Sequence, residues 1–466
     1  MTTQLTTDYL IIGAGASAMA FADIIISESN ATVLFVDTRH KPGGHWNDAY
    51  SFVTLHQPSA FYGVSSKELS KGTKDKVGLN KGMNGLASGA EINAYYDDLM
   101  RETFLPSGRV QYFPKCRYTE DGKFVSLLTG DEFSVSYKKL VDTTYYNTTI
   151  PSTHTPGFDI DSSVRFMPLN DLPSINSPVP GYTVIGGGKT GIDACLWLLE
   201  NGIEPDNITW IMPRDAWFLD RKNTQPTPDF FFDAIGAQAD QMEAIAESES
   251  IDDMFARLEK AGVFLRLDES VWPKMFHGAT ISALELEQLR RIKNVVRKGR
   301  VERIEPHHIV LQEGDIPTTT DIVHVDCTAS AISNLDISPI FAGNKISPQT
   351  VRSYQPVFSA AFVAHIELQY DDIEKKNKLC KVVPLPNHDS DWVELTYRNL
   401  MNQYFWSKEP GLKDWLKNNR LDGFMRLVAS VKFYEFEKLK VLNRMRKAAK
   451  PAIAKLKQYR ASLGTE

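Results

Sequence analysis

The sequence predicts an α/β chain with two Rossmann-like dinucleotide-binding domains, the first of them discontinuous, and a helical C-terminal region. Three observations carry this. An apolar run, Tyr9–Ile12, leads into the Gly-rich turn Gly13-Ala14-Gly15-Ala16-Ser17-Ala18. A second apolar run, Tyr182–Ile185, leads into Gly186-Gly187-Gly188-Lys189-Thr190-Gly191. Each turn is followed by a helical pattern and then another apolar strand. In such units the first Gly makes the tight turn, the second admits a pyrophosphate close to the backbone, and a small third residue lets helix and strand pack. The helix N-terminus adds unpaired N–H groups and a positive dipole end. Gly13, Gly15 and Ala18 are therefore candidates in the first unit, and Gly186, Gly188, Thr190 and Gly191 in the second.

The first unit continues through a helix expected over Ser17–Ser27 into the strand Thr32–Val36, which ends at Asp37. Asp37 lies 24 residues after Gly13, near the spacing at which a carboxylate accepts from a ribose 2′-OH. An acid there suits FAD or NAD and disfavours a 2′-phosphate; the plain alternative is an exposed carboxylate at a strand end. Arg39 follows closely. Gly43, Gly44, His45 and Trp46 then place two glycines before an aromatic, a pattern that admits a flat ring against backbone with Trp46 covering it. This combination favours FAD.

The second unit ends differently. After a helix expected over Thr190–Glu200 and the strand Ile208–Met212 come Pro213 and Arg214. Losing the acid and gaining a guanidinium suits a 2′-phosphate, and so NADPH. Arg221 and Lys222 are expected to add charge nearby. The plain alternative pairs Arg214 with neighbouring Asp215.

These residues resemble the class B flavoprotein monooxygenases, which include the flavin-containing and Baeyer–Villiger monooxygenases and related N-hydroxylases. The likeness runs through Leu10–Trp46, a helix at Glu91–Leu99, Tyr182–Arg214, and Asp321–Ala331 with Ala329 in its small-residue turn. It implies that NADPH reduces FAD, that O2 adds as a C4a-(hydro)peroxyflavin, and that one oxygen atom goes to a small organic substrate. Two departures stand out. The stretch Phe166–Asp171 has neither the Gly nor the His of the family's Phe-x-Gly-x-x-x-His fingerprint. Where flavin-containing members carry an Asn near the flavin, Val53–Ser59 offers His56 and Gln57, the catalytic candidates. Their plain alternative is a loop pair bonded to backbone. An NAD(P)H-dependent reductase, dehydrogenase or oxidase without oxygen insertion is the second functional reading, and a non-catalytic redox sensor the third.

Composition sets bounds. A chain of 466 residues exceeds one ordinary core. With 42% hydrophobic and 24% charged residues and a net charge of −6, it reads as globular and gives no overall pull to nucleic acid. Cys116, Cys195, Cys327 and Cys380 form no close pair, which excludes a zinc cluster and the short redox pair of disulfide reductases. No metal is expected. The apolar start lacks a basic leader and carries Gly13, Gly15 and Asp23, so a cytoplasmic setting without stable membrane insertion is expected. A homodimer is left open.

The expected domains are 1–160 and 326–466 for FAD, with 161–325 for NADPH. In the first, Val110–Phe113, Phe124–Leu128, Glu132–Val135 and Lys139–Thr143 read as strands, and Ser65–Gly89 as a loop. In the second, Asp229–Lys260 reads as an acidic helical insertion with a solvated face, a substrate lid being the alternative. His324–Ala329 reads as a strand returning the chain to the flavin. A helix beginning at Gln355 is expected to point its N-terminus at the flavin. Lys438–Arg460 holds nine basic residues and no acid, with Leu439, Leu442, Met445 and Ala449 at helical spacing. It is expected to dock on the acidic body, with nucleic-acid or membrane-surface binding as the alternative.

Overall fold

The computed structural model describes residues 2–146, 148–329 and 337–464. Two parallel sheets organise it. In the first, β1 (Thr3–Ile12) runs beside β2 (Val33–Val36), with Tyr9 opposite Val33 and Ile12 opposite Val36. Beyond β2 lies β3 (Val110–Phe113). β4 (Cys116–Tyr118) and β5 (Lys123–Ser126) form a ribbon antiparallel to β6 (Glu132–Asp142), which pairs in parallel with β1. The two stretches expected as separate strands at Glu132 and Lys139 are thus one. Alternation of small polar and apolar side chains continues through Tyr137 and keeps both faces usable, so nothing breaks the strand. The chain returns to this sheet at Lys345–Ile346, parallel to β6.

Helix α1 (Ala16–Glu28) follows the first Gly turn and packs against the late helix Pro356–Gln369, burying Phe21, Ile24 and Ile25 with Phe358, Phe362 and Ile366. α2 (Gly89–Leu99) begins with a capping box in which Ser88 and Glu91 satisfy each other's backbone N–H groups.

β7 (Asp159–Ile160) joins a small sheet beside Val301–Ile304. The second parallel sheet runs Val295–Val296, β10 (Ile208–Ile211), β9 (Tyr182–Ile185), Val323–Asp326, β8 (Arg165–Pro168). The expectation that the strand at His324 returns to the first domain is therefore corrected: it lies between β9 and β8. Its buried residues, Val323 through Asp326, suit an interior parallel strand, flanked on both sides. Of the Asp321–Ala331 stretch, Ser330 and Ala331 lie outside the described residues.

α3 (Lys189–Glu200) follows the second turn. The acidic insertion forms α4 (Phe231–Glu247) and α5 (Ile251–Lys260). Its face is only partly solvated, because the C-terminal helix Phe436–Leu463 lies along α4. Arg444 bonds Asp240 at 2.6 Å and also Glu243, so the basic helix does dock on acidic surface. Of the residues expected on its apolar face, Leu442 and Met445 do pack, partly buried, against the core. Val441, Ala448, Ala452, Leu456 and Tyr459 are buried, whereas Leu439 is exposed. A further short helix, α6 (Ala283–Leu289), carries its own capping box from Ser282 and Glu285.

Candidate active site

The first Gly turn is forced by geometry. Gly13 has φ +93°, a region L side chains rarely adopt, and a Cβ there would lie 2.8 Å from Thr143 Oγ1. Gly15 caps α1 without any side-chain bond, leaving the helix N-terminus open. The loop Gly43–Trp46 crosses it closely: Gly43 N–H donates to Ala14 O at 2.9 Å, and a Cβ on Gly44 would come within 2.9 Å of Gly15 Cα. Asn47 Nδ2 donates to the carbonyls of Lys41, Pro42 and Gly44 and fixes this loop. Asp37 is buried, with Oδ2 accepting Ala14 N–H at 2.5 Å and Oδ1 accepting Arg39 N–H at 2.7 Å. Burial pushes its carboxyl up, against those two bonds. Asp37 is thus no free strand-end acid. It ties both loops together and keeps lone pairs toward the cavity. Arg39 is held by Asp48 at 2.7 Å. Ala18 is fully buried against the sheet, as helix–strand packing requires.

A cavity of about 860 Å³ opens over these groups. Its lining includes Asp37, Arg39 and Cys116–Tyr118, then Gly13, Gly15, Ser17, Gly44 and Thr143, and also His45, Trp46, His56, Gln57 and Tyr62. Trp46 Nε1 donates to Tyr62 Oη at 2.7 Å, and the rings meet edge to face. Burial, with Arg39 beside it, lowers the His45 imidazole to about 4. Burial, then Lys189 and Arg221, holds His56 well below its ordinary value, so both imidazoles are neutral near pH 7.

The helix at Pro356, here α7 (Pro356–Gln369), opens into the same cavity through Gln355, Pro356 and Val357. Sequence reasoning found this helix start but missed two side chains beside it. Tyr354 Oη and Gln355 Oε1 are buried with no partner among the described residues. Tyr354 also has a left-handed backbone, φ +60°, costly for an aromatic residue. Its ring lies where a Cβ on Gly278 would be. The Gln-Pro pair was the available signal, since Pro at the first helical position marks the preceding residue as the cap.

The second turn lies outside this cavity. Gly186 has φ +134°, and a Cβ on it would run into Cys327 O. A Cβ on Gly191 would run into Gly186 O, while one on Gly188 would meet open space. Trp210 Nε1 donates to Gly186 O at 2.8 Å and holds the turn. Thr190 stands in the first turn of α3, and Lys189 pairs with Asp193 along that helix. Ala329 follows the strand packed beside this turn and is not among the residues that line the cavity.

Arg214 is not paired with Asp215, which bonds Arg297 at 2.6 Å. Its Nη2 donates to Asn387 Oδ1 at 2.9 Å, and Asn387 Oδ1 also meets His277 Nε2 at 3.0 Å. His277 lines the cavity, so Asn387 joins Arg214 to its wall. Arg221 and Lys222 are not spare cations. Arg221 is 1% exposed, pairs with Glu285 at 2.8 Å and donates to His56 O at 2.9 Å. Lys222 pairs with Asp233 at 2.7 Å. A guanidinium in the interior needs such partners, and Glu285 is available because it also caps α6. All four cysteines are free and buried, and among the described residues no cluster of His, Cys, Asp or Glu could hold a metal.

No protein-family model matches the chain. It is 47% identical over 422 residues to the uncharacterized protein Rv2000 of Mycobacterium tuberculosis, covering 90% of this chain and 78% of that one. The chain belongs to that family. A Mycobacterium bovis member, the uncharacterized protein Mb2023, matches with the same identity and coverage. Among solved structures, a flavin-containing monooxygenase from Stenotrophomonas maltophilia is similar at 13% identity and TM-score 0.41, over 81% of this family member and 99% of that chain. Cyclohexanone monooxygenase from Rhodococcus sp. Phi1 bound to NADP+ is similar at 12% identity and TM-score 0.45, over 80% and 84% of the two chains. Among the described residues no helix is long and apolar enough to cross a membrane.

Proposed function

We propose that the chain is an FAD-dependent, NADPH-using monooxygenase acting on a small organic substrate. One observation carries the reading: a single cavity runs from Asp37 across the Gly13–Ser17 turn and past Trp46 to the N-terminus of α7. That is the path of an extended dinucleotide, with an acid at one end, N–H donors in the middle and aromatic walls at the other. The residues fit FAD. Gly44, where a Cβ would press to 2.9 Å of Gly15 Cα, lets the two loops cross closely, and Gln355 Oε1 and Tyr354 Oη are buried polar atoms awaiting partners. Gly188, with open space before it, and Arg214 would receive the pyrophosphate and 2′-phosphate of NADPH.

Bound FAD would take a hydride from NADPH and deliver electrons to O2, the chemistry from which one oxygen atom reaches a substrate. The protein supplies position and electrostatics. The N–H groups at the start of α7 stabilise negative charge at the cavity's far end. Trp46 and Tyr62 exclude water from one wall. His56, kept neutral, and Gln57 can each donate one hydrogen bond without adding a charge.

Anaerobic addition of NADPH followed by a pulse of labelled O2 tests the reading. Flavin bleaching with NADPH and label in an organic product support it. Bleaching with stoichiometric hydrogen peroxide for every substrate tried would leave a reductase or oxidase. His56→Ala and Gln57→Ala are expected to divert oxygen to peroxide while leaving reduction by NADPH unslowed.

A further inference from the structure

The C-terminal helix Phe436–Leu463 has two faces, and only one is used by the fold. Its 28 residues span roughly 42 Å. One face docks through Val441, Ala448, Ala452 and Leu456. The opposite face, by helical periodicity, carries Phe436, Leu439, Lys447, Lys450 and Lys457, and all of these are exposed.

Its charges divide the same way. Arg444 and Arg460 turn toward the body and pair with Asp240, Glu243 and Glu394. Arg446, Lys447, Lys450 and Lys457 have no ion-pair partner among the described residues and stand on the outer side, on a chain of net charge −6. Around the helix's N-terminus, Phe433 is 85% exposed, Tyr434 61% and Phe436 69%. Three adjoining aromatics at such exposure form an apolar patch that water disfavours.

We propose that this face seats the protein on an anionic phospholipid surface. The cation row matches headgroup phosphates, and Phe433, Tyr434 and Phe436 enter the interfacial layer where amphipathic rings are favoured. Charge complementarity selects the occupant, and the aromatic cluster separates it from nucleic acid. The rings are gathered at one end instead of alternating with the cations along a groove, as base stacking would require. The helix lies on the surface and does not cross it. The inference is independent of the reaction proposed above.

Cosedimentation of the full chain with vesicles of phosphatidylcholine plus phosphatidylserine, and of phosphatidylcholine alone, tests it. Binding to the anionic vesicles that weakens as salt rises is expected. Lys447→Glu with Lys450→Glu, and separately Phe433→Ser with Phe436→Ser, should each lower binding about tenfold or more. Neither pair touches the core, so unchanged thermal midpoints and flavin content are expected and would show that the variants fold. Equal binding to neutral vesicles, unchanged binding by folded variants, or preference for single-stranded nucleic acid would overturn the proposal. So would self-association removed by these substitutions without any vesicle binding.

Discussion

Asp37 does two jobs with one carboxylate. It accepts from the backbone of both loops that form the turn, and it faces the cavity where a ribose would lie. Asp37→Ala is expected to lower FAD affinity, since each lost bond to the charged group contributes about 1.5–3 kcal/mol. FAD content after purification and titration of the apoprotein would measure this, and undiminished affinity would remove Asp37 from the site. His324 makes a different point. It is fully buried, and burial lowers its imidazole from 6.5 to about 4. Above pH 6.5 folded and unfolded chains are both neutral there, and its contribution is complete. As pH falls below 6.5 the unfolded chain takes the proton first, so stability is lost toward about 4. That loss is about 2 kcal/mol by a pH of about 5, and His324→Leu should remove it. Denaturant midpoints at the two pH values, in both proteins, would decide.

At the scale of elements, the Gly turns were legible because their chemistry is local. A positive φ or a crossing backbone excludes every larger residue, and both leave Gly in the sequence. Gly191→Ala tests this for the second turn, because its methyl would meet the Gly186 carbonyl. The variant is expected to keep FAD and lose most reduction by NADPH, read in a stopped-flow spectrometer; equal loss of FAD would mean a general folding defect. What depends on partners distant in sequence was not legible. Nothing around His324 says which sheet its strand enters, since an apolar strand suits either. The same holds for Arg221, whose Glu285 and His56 partners lie 64 and 165 residues away. On the C-terminal helix, α4 takes Val441, Leu442 and Met445 into its packing and leaves Leu439 in water.

The whole molecule links its two candidate coenzyme sites by a short polar path, Arg214 to Asn387 to His277. Arg214→Ala should raise KM for NADPH while leaving KM for NADH nearly unchanged, since only the 2′-phosphate loses its partner. Steady-state flavin reduction with each coenzyme measures it. Equal losses with both would make Arg214 a support for the Asn387 loop instead.

The Arg221 anchorage bears on movement. Its guanidinium grips the His56 carbonyl, Thr280 and Glu285 with almost no exposure to water. Pulling the segment that carries Arg221 away from the His56 carbonyl and Glu285 would strand a charge in the interior, at a cost of several kcal/mol. The His56 backbone is therefore tied to the segments that carry Arg221, Thr280 and Glu285. The part of the cavity's lining formed by His56 and Gln57 is thus fixed from outside the first sheet, by a cation 165 residues further along the chain.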